Sequence, residues 1–258
     1  MAVIINADDL GISEEVNAAI FDLMERGAVT SATLIANAPA FESAALRARS
    51  FPSCSFGIHL NASEFHPLTR HPDLRPLLDG TGCFHGDAIR ATTITSALKR
   101  AVFEEWSAQI SRLIGLGLKP THIDSHHHVH TIPSLFPVLK RLQARYAIRK
   151  VRISKNIYGS RQSVSPQVLV KKRLWNLALK HIYRTRTTNG FTSFIEYHEL
   201  IQNGSIDLRA SGNRRKNATV ELMVHPGNSG EIYRNEIAIL HSGWLEAAGI
   251  SKTTYMEL

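Results

Sequence analysis

The stretch AVIINADDLGISEEVNAAIFDLMERG, residues 2–27, is typical of one strand and one helix of a parallel α/β fold. Residues 3–7 form an apolar run that is β-branched at three of its five positions, which predicts a buried strand. Gly11 turns the chain, and Ser13 followed by two glutamates predicts a helix N-cap with an acidic first turn. Apolar residues at helical spacing follow, and we expect the helix to end at Gly27.

The same alternation of short apolar runs and longer amphipathic runs continues along the chain. Further strands are predicted at residues 31–36, 55–60, 121–124, 150–153, 191–195 and 219–224. Helices are predicted at residues 40–49, 95–113, 134–145, 166–184 and 231–247, with a long loop at residues 67–93. This order predicts a parallel sheet with crossover helices, and since no linker or repeat divides the chain, one domain over residues 1–258.

The composition suits a globular α/β protein with a basic surface. The chain has 258 residues, of which 43% are hydrophobic and 20% charged, and its formal net charge is +8. Much of the excess lies at Lys171, Lys172, Arg173, Lys180, Arg184, Arg186, Arg214, Arg215 and Lys216. A basic balance permits nucleic acid, anionic lipid or acidic substrates as partners and selects none of them, so we expect a solvated helix face and a loop.

Cysteine usage and hydropathy predict a soluble cytoplasmic protein. Cys54 and Cys83 form no CxxC motif and no ligand cluster, which favours a reducing compartment. The first residues have no basic segment ahead of their short apolar run, so no secretory signal is expected. No stretch approaches the roughly 20 apolar residues that a membrane-spanning helix needs.

Acidic residues and histidines stand at the ends of four predicted strands, where parallel α/β folds build their sites. They are Asp8 and Asp9, His59, the run HIDSHHHVH at residues 122–130, and His225. Asp8 or Asp9 alone could cap a helix, but two adjacent acids repel each other, and a cation relieves that repulsion. His59 alone could equally be a buried structural histidine, and His225 a turn residue before Pro226.

The histidine run at residues 122–130 is the strongest single signal of a metal site. Its five histidines in nine residues exceed any packing requirement, and Asp124 could orient one of the rings or join them. An Asp–His–His set leaves open positions for a water, whose pKa falls on the metal. A second Asp can take the proton, and a separate histidine can protonate a departing amine or hold an oxyanion. The pattern suits hydrolysis of an amide or ester.

Five motifs resemble those of the YdjC-like carbohydrate deacetylases, the group that includes chitooligosaccharide deacetylase and the hopanoid-biosynthesis-associated deacetylase. They are NADDLGIS (residues 6–13), TSATLIAN (residues 30–37), GIHLN (residues 57–61), KPTHIDSHHHVH (residues 119–130) and ELMVHPG (residues 221–227). The resemblance implies an α/β fold, namely a TIM-like (β/α) barrel related to NodB-type polysaccharide deacetylases. It also implies one divalent metal ion, with magnesium first and zinc as the alternative.

The resemblance assigns roles to residues by position. It implies Asp9, His59 and His126 as metal ligands and Asp8 as the general base. His225 is expected on the leaving-group side, and Arg152 is expected to orient Asp8 or bind substrate. Four further residues are assigned to substrate binding: Asn61, Asp124, His128 and His130. The implied reaction removes the acetyl group from an N-acetylated sugar, either an N-acetylglucosamine-containing oligosaccharide or a lipid-linked sugar, in a homodimer that binds no nucleic acid.

Residues 156–190 do not follow the pattern of the oligosaccharide enzymes and are predicted to be a basic helical insertion at the barrel mouth. Such a helix could rest on an anionic membrane or pack on the barrel, and packing is the expectation. Two other functions remain open. A metal-dependent phosphoesterase or nuclease would usually need a second carboxylate cluster. A non-enzymatic protein that binds nucleic acid or lipid would use the basic stretch, which lacks the dense aromatic residues of base stacking.

Overall fold

A computed structural model describes residues 1–154, 157, 164–205 and 218–258. The strands are β1 (Ala2–Leu10), β2 (Ser31–Leu34), β3 (Ser55–Leu60), β4 (His122–Ser125), β5 (Lys150–Val151), β6 (Gly190–Ser193), β7 (Thr219–Val224) and β8 (Ser251–Lys252). The α-helices are α1 (Glu14–Glu25), α2 (Phe41–Ala48), α3 (Ala88–Ala91), α4 (Ser96–Gly115), α5 (Phe136–Tyr146), α6 (Pro166–His181), α7 (Phe194–Gln202), α8 (Glu231–His241) and α9 (Trp244–Ala247). Short 3-10 segments occupy Pro72–Leu77, His126–Thr131, Pro133–Leu135 and Ile182–Arg184.

The strands form a curled parallel sheet, a half-barrel with helices on its outside. Seven strands follow the order β5-β4-β3-β2-β1-β7-β6, and β8 pairs with the start of β1. Each of these pairings is parallel, so the carboxyl ends of the strands meet at one edge of the sheet. The predicted α/β barrel class is therefore confirmed, and the predicted site residues at strand ends come together at that edge.

Strand β1 separates an apolar outer layer from a polar interior. Val3, Ile5 and Ala7 belong to the main hydrophobic cluster, which includes the inner faces of the surrounding helices. Asn6 and Asp8, at the alternate positions, are also buried and make their contacts inside the half-barrel. Because side chains alternate along a strand, this one strand supplies both the core and the site.

The turn between β1 and α1 forms as predicted. The hydroxyl of Ser13 accepts a hydrogen bond from the N–H of Val16 at 3.2 Å, and Glu14 and Glu15 occupy the first turn of the helix. Carboxylates at that position interact favourably with the positive end of the helix dipole. The cap fixes where α1 begins, which in turn places the end of β1 at the open edge of the sheet.

Several element boundaries differ from the prediction. The strand predicted at residues 191–195 ends at Ser193, because the Ser193 hydroxyl accepts from the N–H of Glu196 and starts α7. The helix predicted at residues 231–247 is two helices, divided at Gly243, whose φ of 70° is left-handed. Strand β8 was not predicted, since two residues are too few for a periodic pattern.

Helix α6 packs against α5 through one side and exposes apolar residues on the other. Its residues Val168, Leu169, Val170, Leu174 and Leu177 are between 41% and 61% exposed. Its inner side is attached to α5, where the ring of Trp175 meets that of Phe136 at 5.1 Å. The buried Lys140 ammonium also donates to the carbonyls of Leu179 and Ile182, which fixes the end of the helix. Helix α6 is therefore packed on its inner side, and its outer face is exposed.

Residues 156 and 158–163 of the predicted insertion lie outside the described residues, and so does the basic cluster Arg214, Arg215 and Lys216. Among the helices that the structure describes, none combines the length and the apolar character that crossing a lipid bilayer requires.

Gly57 of β3 leaves space for a buried imidazole inside the half-barrel. A Cβ at this position would lie 2.5 Å from the His122 ring. That ring cannot easily withdraw, because it stacks on Tyr255 with ring centroids 3.6 Å apart. The close approach of β3 and β4 therefore depends on the missing side chain of Gly57.

We predict that Gly57→Ala lowers the free energy of unfolding by about 1–3 kcal/mol, because the added methyl group overpacks a rigid stack. Urea denaturation of the purified variant measures the change. Gly80→Ala is the matched control, since a Cβ there meets nothing within 4 Å. Equal denaturation midpoints for both variants would contradict the proposed role of Gly57.

Candidate active site

A distortion at the end of β1 directs the side chains of two consecutive aspartates into the same pocket. The register of β1 against β2 shifts between Ala7 and Leu10, and Asp9 has a left-handed backbone with φ of 67°. Neighbouring side chains of a regular strand point to opposite faces, so the bulge is what lets Asp8 and Asp9 line the same cavity. Strained backbone of this kind is concentrated at functional sites.

Asp9, His59 and His126 converge from three different strand ends. One ligand atom of each lies within 4.8 Å of the other two. Oδ1 of Asp9 is 2.8 Å from Nδ1 of His126 and 3.4 Å from Nε2 of His59. All three side chains are buried. The structure thus brings together the three residues predicted as metal ligands, although their sequence positions are far apart.

The donor atoms of this cluster fit a cation better than they fit one another. Despite the short distance, the buried Oδ1 of Asp9 makes no aligned hydrogen bond, and Nε2 of His126, 3.5 Å from Glu64, makes none among the described residues either. Orphaned buried polar atoms are rare because each costs free energy. A divalent ion at about 2.0–2.2 Å from its ligands holds them roughly 3 Å apart, which is the spacing seen here.

His59 is held so that one ring nitrogen faces the cluster. Its Nδ1 donates to Oδ1 of Asp124 at 2.7 Å, which leaves Nε2 directed towards Asp9. The other oxygen of Asp124 accepts from the Thr33 hydroxyl at 3.0 Å. A carboxylate behind a ligating histidine fixes its tautomer and raises its basicity.

Arg152 is the buried cation that organises the carboxylates. Its Nη1 and Nη2 donate to both oxygens of Asp8, each at 2.6 Å. Its Nε donates to Glu221 at 2.8 Å, and Nη2 lies 2.9 Å from Asp124. Asp9 adds a fourth buried carboxyl group to a region that has one buried arginine among the described residues. Such an excess of buried negative charge is costly, and a divalent cation beside Asp9 would offset it.

The histidines of the cluster take up charge in the metal-free protein. Burial lowers the pKa of His59, but Asp124 and the other carboxylates outweigh it and raise the pKa to about 10. Burial likewise lowers the pKa of His126, but Asp9 and Glu64 raise it to about 9. Without a metal, both rings therefore bind a proton, and a metal ion has to displace those protons.

Asp8 is kept ionised by its partner. Burial by itself raises the pKa of Asp8, but the charge and hydrogen bonds of Arg152 outweigh it, so the pKa lies below its ordinary value. Asn6 donates a further hydrogen bond to Oδ1 at 2.9 Å. Oδ2 has no such second donor among the described residues and lies 4.0 Å from Nε2 of His59. Asp8 can therefore accept a proton next to the candidate metal cluster.

His225 lies on the side of the pocket formed by the end of β7. Its backbone N–H donates to the buried carboxyl of Glu236 at 2.6 Å, and its ring lies 5.7 Å from that of Tyr233. It lines the same cavity of about 410 Å³ as Asp8, Asp9 and the histidines. The predicted general acid and general base thus share one pocket with the candidate metal cluster.

The four residues assigned to substrate binding occupy different positions. Asn61 is fully buried, and its carboxamide bonds to Asn37, Ser63 and the backbone of Glu64, so it holds a loop in place. Asp124 lies behind His59, away from the cavity lining. His130 is 1% exposed and contacts the Ser125 hydroxyl through Nδ1 at 2.5 Å.

His128 alone of these four lines the main pocket. It also lines a neighbouring cavity of about 230 Å³, which His130 borders as well. Its φ of 53° is left-handed and belongs to the irregular turn that follows β4. His128 is therefore the member of this group that is best placed to touch a substrate.

Several residues of this site were not predicted from the sequence. Glu64 lies 3.5 Å from Nε2 of His126 and is 40% exposed at the pocket. Glu221 and Tyr255 bond to each other beneath Arg152. Glu64 follows the GIHLN motif by three residues, and Glu221 opens ELMVHPG, so an acidic residue within a motif was the available signal. No motif in the sequence around Tyr255 predicts its place in the site.

Comparisons with known proteins agree with this geometry. A family model described as YdjC-like protein matches residues 2–248. A carbohydrate deacetylase of Geobacillus stearothermophilus is 42% identical over 154 residues, which cover 59% of this chain and 60% of the relative. Another, of Brevibacillus brevis, is 39% identical over 148 residues, covering 57% and 58%. The chain thus matches about 60% of the length of these relatives.

A crystal structure from Enterococcus faecalis V583, of a protein named for cellobiose-phosphate cleavage, superposes with a TM-score of 0.76. It is 26% identical to this chain, and the superposition covers 99% of this chain and 98% of that one. The half-barrel is therefore shared along the whole length.

We predict that Glu236→Gln reduces the pH dependence of stability between about pH 4.5 and 7. Burial raises the pKa of Glu236 from 4.5 to about 7, so the folded state binds the proton more tightly than the unfolded state. Stability from this group is present below pH 4.5 and is lost as pH rises towards 7, by up to about 3 kcal/mol. Glutamine keeps an acceptor for the His225 N–H without the charge.

Urea titrations at pH 4.5 and pH 7.5 measure this difference for the wild type and the variant. Glu231→Gln, at the exposed start of the same helix, is the matched control. An unchanged pH dependence in Glu236→Gln would show that Glu236 does not titrate in this range.

Proposed function

The chain belongs to the YdjC-like protein family, and from that premise we propose that it is a metal-dependent hydrolase that removes the acetyl group from an N-acetylated sugar. The single observation that supports this most directly is the convergence of Asp9, His59 and His126 beside the ionised Asp8. The names of the Geobacillus and Brevibacillus relatives support carbohydrate deacetylation as the reaction.

The arrangement of candidate ligands supports one ion. Two other groups of potential ligands occur among the described residues: Glu64, His126 and His127, and Asp8, His59 and Asp124. Each shares a histidine with the first group, so neither is complete once Asp9, His59 and His126 hold an ion. The two groups share no residue with each other, but Asp8 and Asp124 are already paired with Arg152, which makes their group a poor metal site. Two-metal phosphoryl chemistry needs two ligand sets, and this favours deacetylation over a phosphoesterase or nuclease activity.

A divalent ion held by Asp9, His59 and His126 would supply Lewis acidity to the acetyl carbonyl and to a water. The chain's own groups handle the protons. Asp8, ionised and oriented by both nitrogens of Arg152, accepts a proton from the attacking water. The water oxygen forms a bond to the acetyl carbon.

His225 acts on the opposite side of the same pocket. It donates a proton to the sugar nitrogen as the C–N bond breaks, so the products are acetate and a free amine. Glu236 holds the backbone of His225 and thereby its position, without touching the substrate. Arg152 acts through Asp8 and Asp124 and is a positioning residue.

The identity of the metal is part of the proposal. Two imidazoles and one carboxylate form a donor set that zinc accepts readily, whereas magnesium prefers oxygen ligands. The affinity of the protein for magnesium, the predicted ion, is therefore to be compared directly with its affinity for zinc. The single catalytic domain over residues 1–258, the homodimer, the absence of a nucleic-acid partner and the cytoplasmic location remain predictions.

We predict that His59→Ala and His126→Ala lose bound metal, whereas His127→Ala retains it. His126 belongs both to the group with Asp9 and to the group with Glu64, whereas His59 belongs to the first of these and not the second, and His127 to the second and not the first. Isothermal titration of the metal-free protein with zinc and with magnesium measures the affinity. We expect binding to tighten as pH rises, because both ligand histidines must release a proton. If His127→Ala loses the metal and His59→Ala retains it, the ion is bound instead by Glu64, His126 and His127.

We predict that Asp8→Asn lowers the rate of acetate release about 10²- to 10⁴-fold while metal binding persists, because the proton acceptor is removed and the ligands are not. The assay measures acetate from N-acetylglucosamine, chitobiose, and lipid- or nucleotide-linked N-acetyl sugars, each with and without chelator. Asp87→Asn, whose side chain is 87% exposed and does not line the pocket, is the matched control. Full activity of Asp8→Asn, or activity that survives chelation, would refute the mechanism.

A further inference from the structure

The outer face of α6 is an apolar stripe that faces solvent. Val170, Leu174 and Leu177 are 56%, 61% and 47% exposed. Their spacing of i, i+4 and i+7 places them on one side of the helix. We call these three residues the α6 stripe. Among the described residues, α6 carries the densest group of large exposed apolar side chains.

Positive charge borders the α6 stripe. Arg173 lies beside it on one flank and Lys171 on the other, and both are exposed. From residue 164 to residue 195 the sequence has no Asp or Glu. The helix therefore combines an apolar strip with positively charged flanks.

A helix with an apolar strip and basic flanks matches the surface of a membrane that contains anionic lipids, where the apolar side chains enter the acyl boundary and the cations meet the headgroups. A second copy of this chain is a poorer partner, because a two-fold contact would bring the same cations together. We propose that α6 docks this protein on an anionic phospholipid bilayer as a peripheral helix. The docking does not depend on the proposed enzymatic activity.

The docking helix also borders the cavities. Lys172 lines the cavity of about 230 Å³ together with His128 and Phe191. His128 in turn lines the main pocket beside Asp9. Lys172 is two positions from both Val170 and Leu174, so it lies on the opposite side of α6 from the stripe, and the cavity adjoins the inner side of the helix.

Vesicle co-sedimentation of the full chain tests this proposal. The probes are vesicles of phosphatidylcholine alone and vesicles with about 30% phosphatidylglycerol, at about 0.1 M and about 1 M salt. We expect binding to the anionic vesicles at low salt and a marked loss at high salt, where the screening length falls to about 3 Å. Leu174→Glu with Leu177→Glu is expected to weaken that binding about tenfold or more.

Two matched controls distinguish the contribution of the α6 stripe from the effect of adding the same charges elsewhere on the surface. Leu46→Glu with Ile232→Glu places the same charges on exposed apolar residues of other helices and should bind like the wild type. Lys171→Glu with Arg173→Glu should weaken binding more than Arg49→Glu with Arg100→Glu, which changes the net charge equally. Circular dichroism checks that each variant is folded.

Three results would overturn the proposal. The first is a wild-type protein that does not bind anionic vesicles. The second is equal binding by the stripe variant and its control, which would place any membrane contact elsewhere. The third is a wild-type dimer in sedimentation equilibrium that the stripe variant converts to a monomer, since a second copy would then cover the stripe. We expect the stripe variant to release acetate from a water-soluble N-acetyl sugar at the wild-type rate. This measurement keeps the test of docking separate from the test of the enzymatic function.

Discussion

The structure depends on one buried guanidinium. Arg152 is 1% exposed and contacts Asp8, Asp124 and Glu221 inside a half-barrel whose outer layer is apolar. A buried arginine without partners would be very costly, and so would three buried carboxylates without a cation. Each group therefore requires the others, and their shared geometry fixes Asp8 directly and His59 through Asp124. The site is rigid because its charges cannot be separated inside the protein.

The same electrostatics explain why a cation site forms next to Arg152. One arginine does not balance four buried carboxyl groups, and in the metal-free protein the raised pKa values of His59 and His126 reflect that imbalance. A metal ion would take the place of those protons. The bulge at Asp9 directs a second carboxylate of the same strand into the pocket, and it requires a left-handed backbone at that residue.

Helix α6 presents an exposed apolar surface outside the pocket. Its inner side is fixed by Trp175 and Lys140, so its orientation is set by the fold. Its outer side has no apolar layer to cover it among the described residues. An exposed apolar stripe between cations is unusual for a surface that faces only water. The sequence pattern of an amphipathic helix did not reveal which side would face the barrel.

The sequence by itself determined the parallel α/β class, the β1–α1 unit with its Ser13 cap, and the position of acidic and histidine clusters at strand ends, because strand periodicity and strand-end position are local properties. The choice of Asp9, His59 and His126 among those clusters came from the family resemblance. Only the tertiary structure decided that Asn61 braces a loop, that Asp124 stands behind His59, and that α6 exposes its leucines. The contact between Arg152 and Asp8 joins residues 144 positions apart. Local patterns carry no information about such a pair, since it is the curvature of the sheet that brings its two members together.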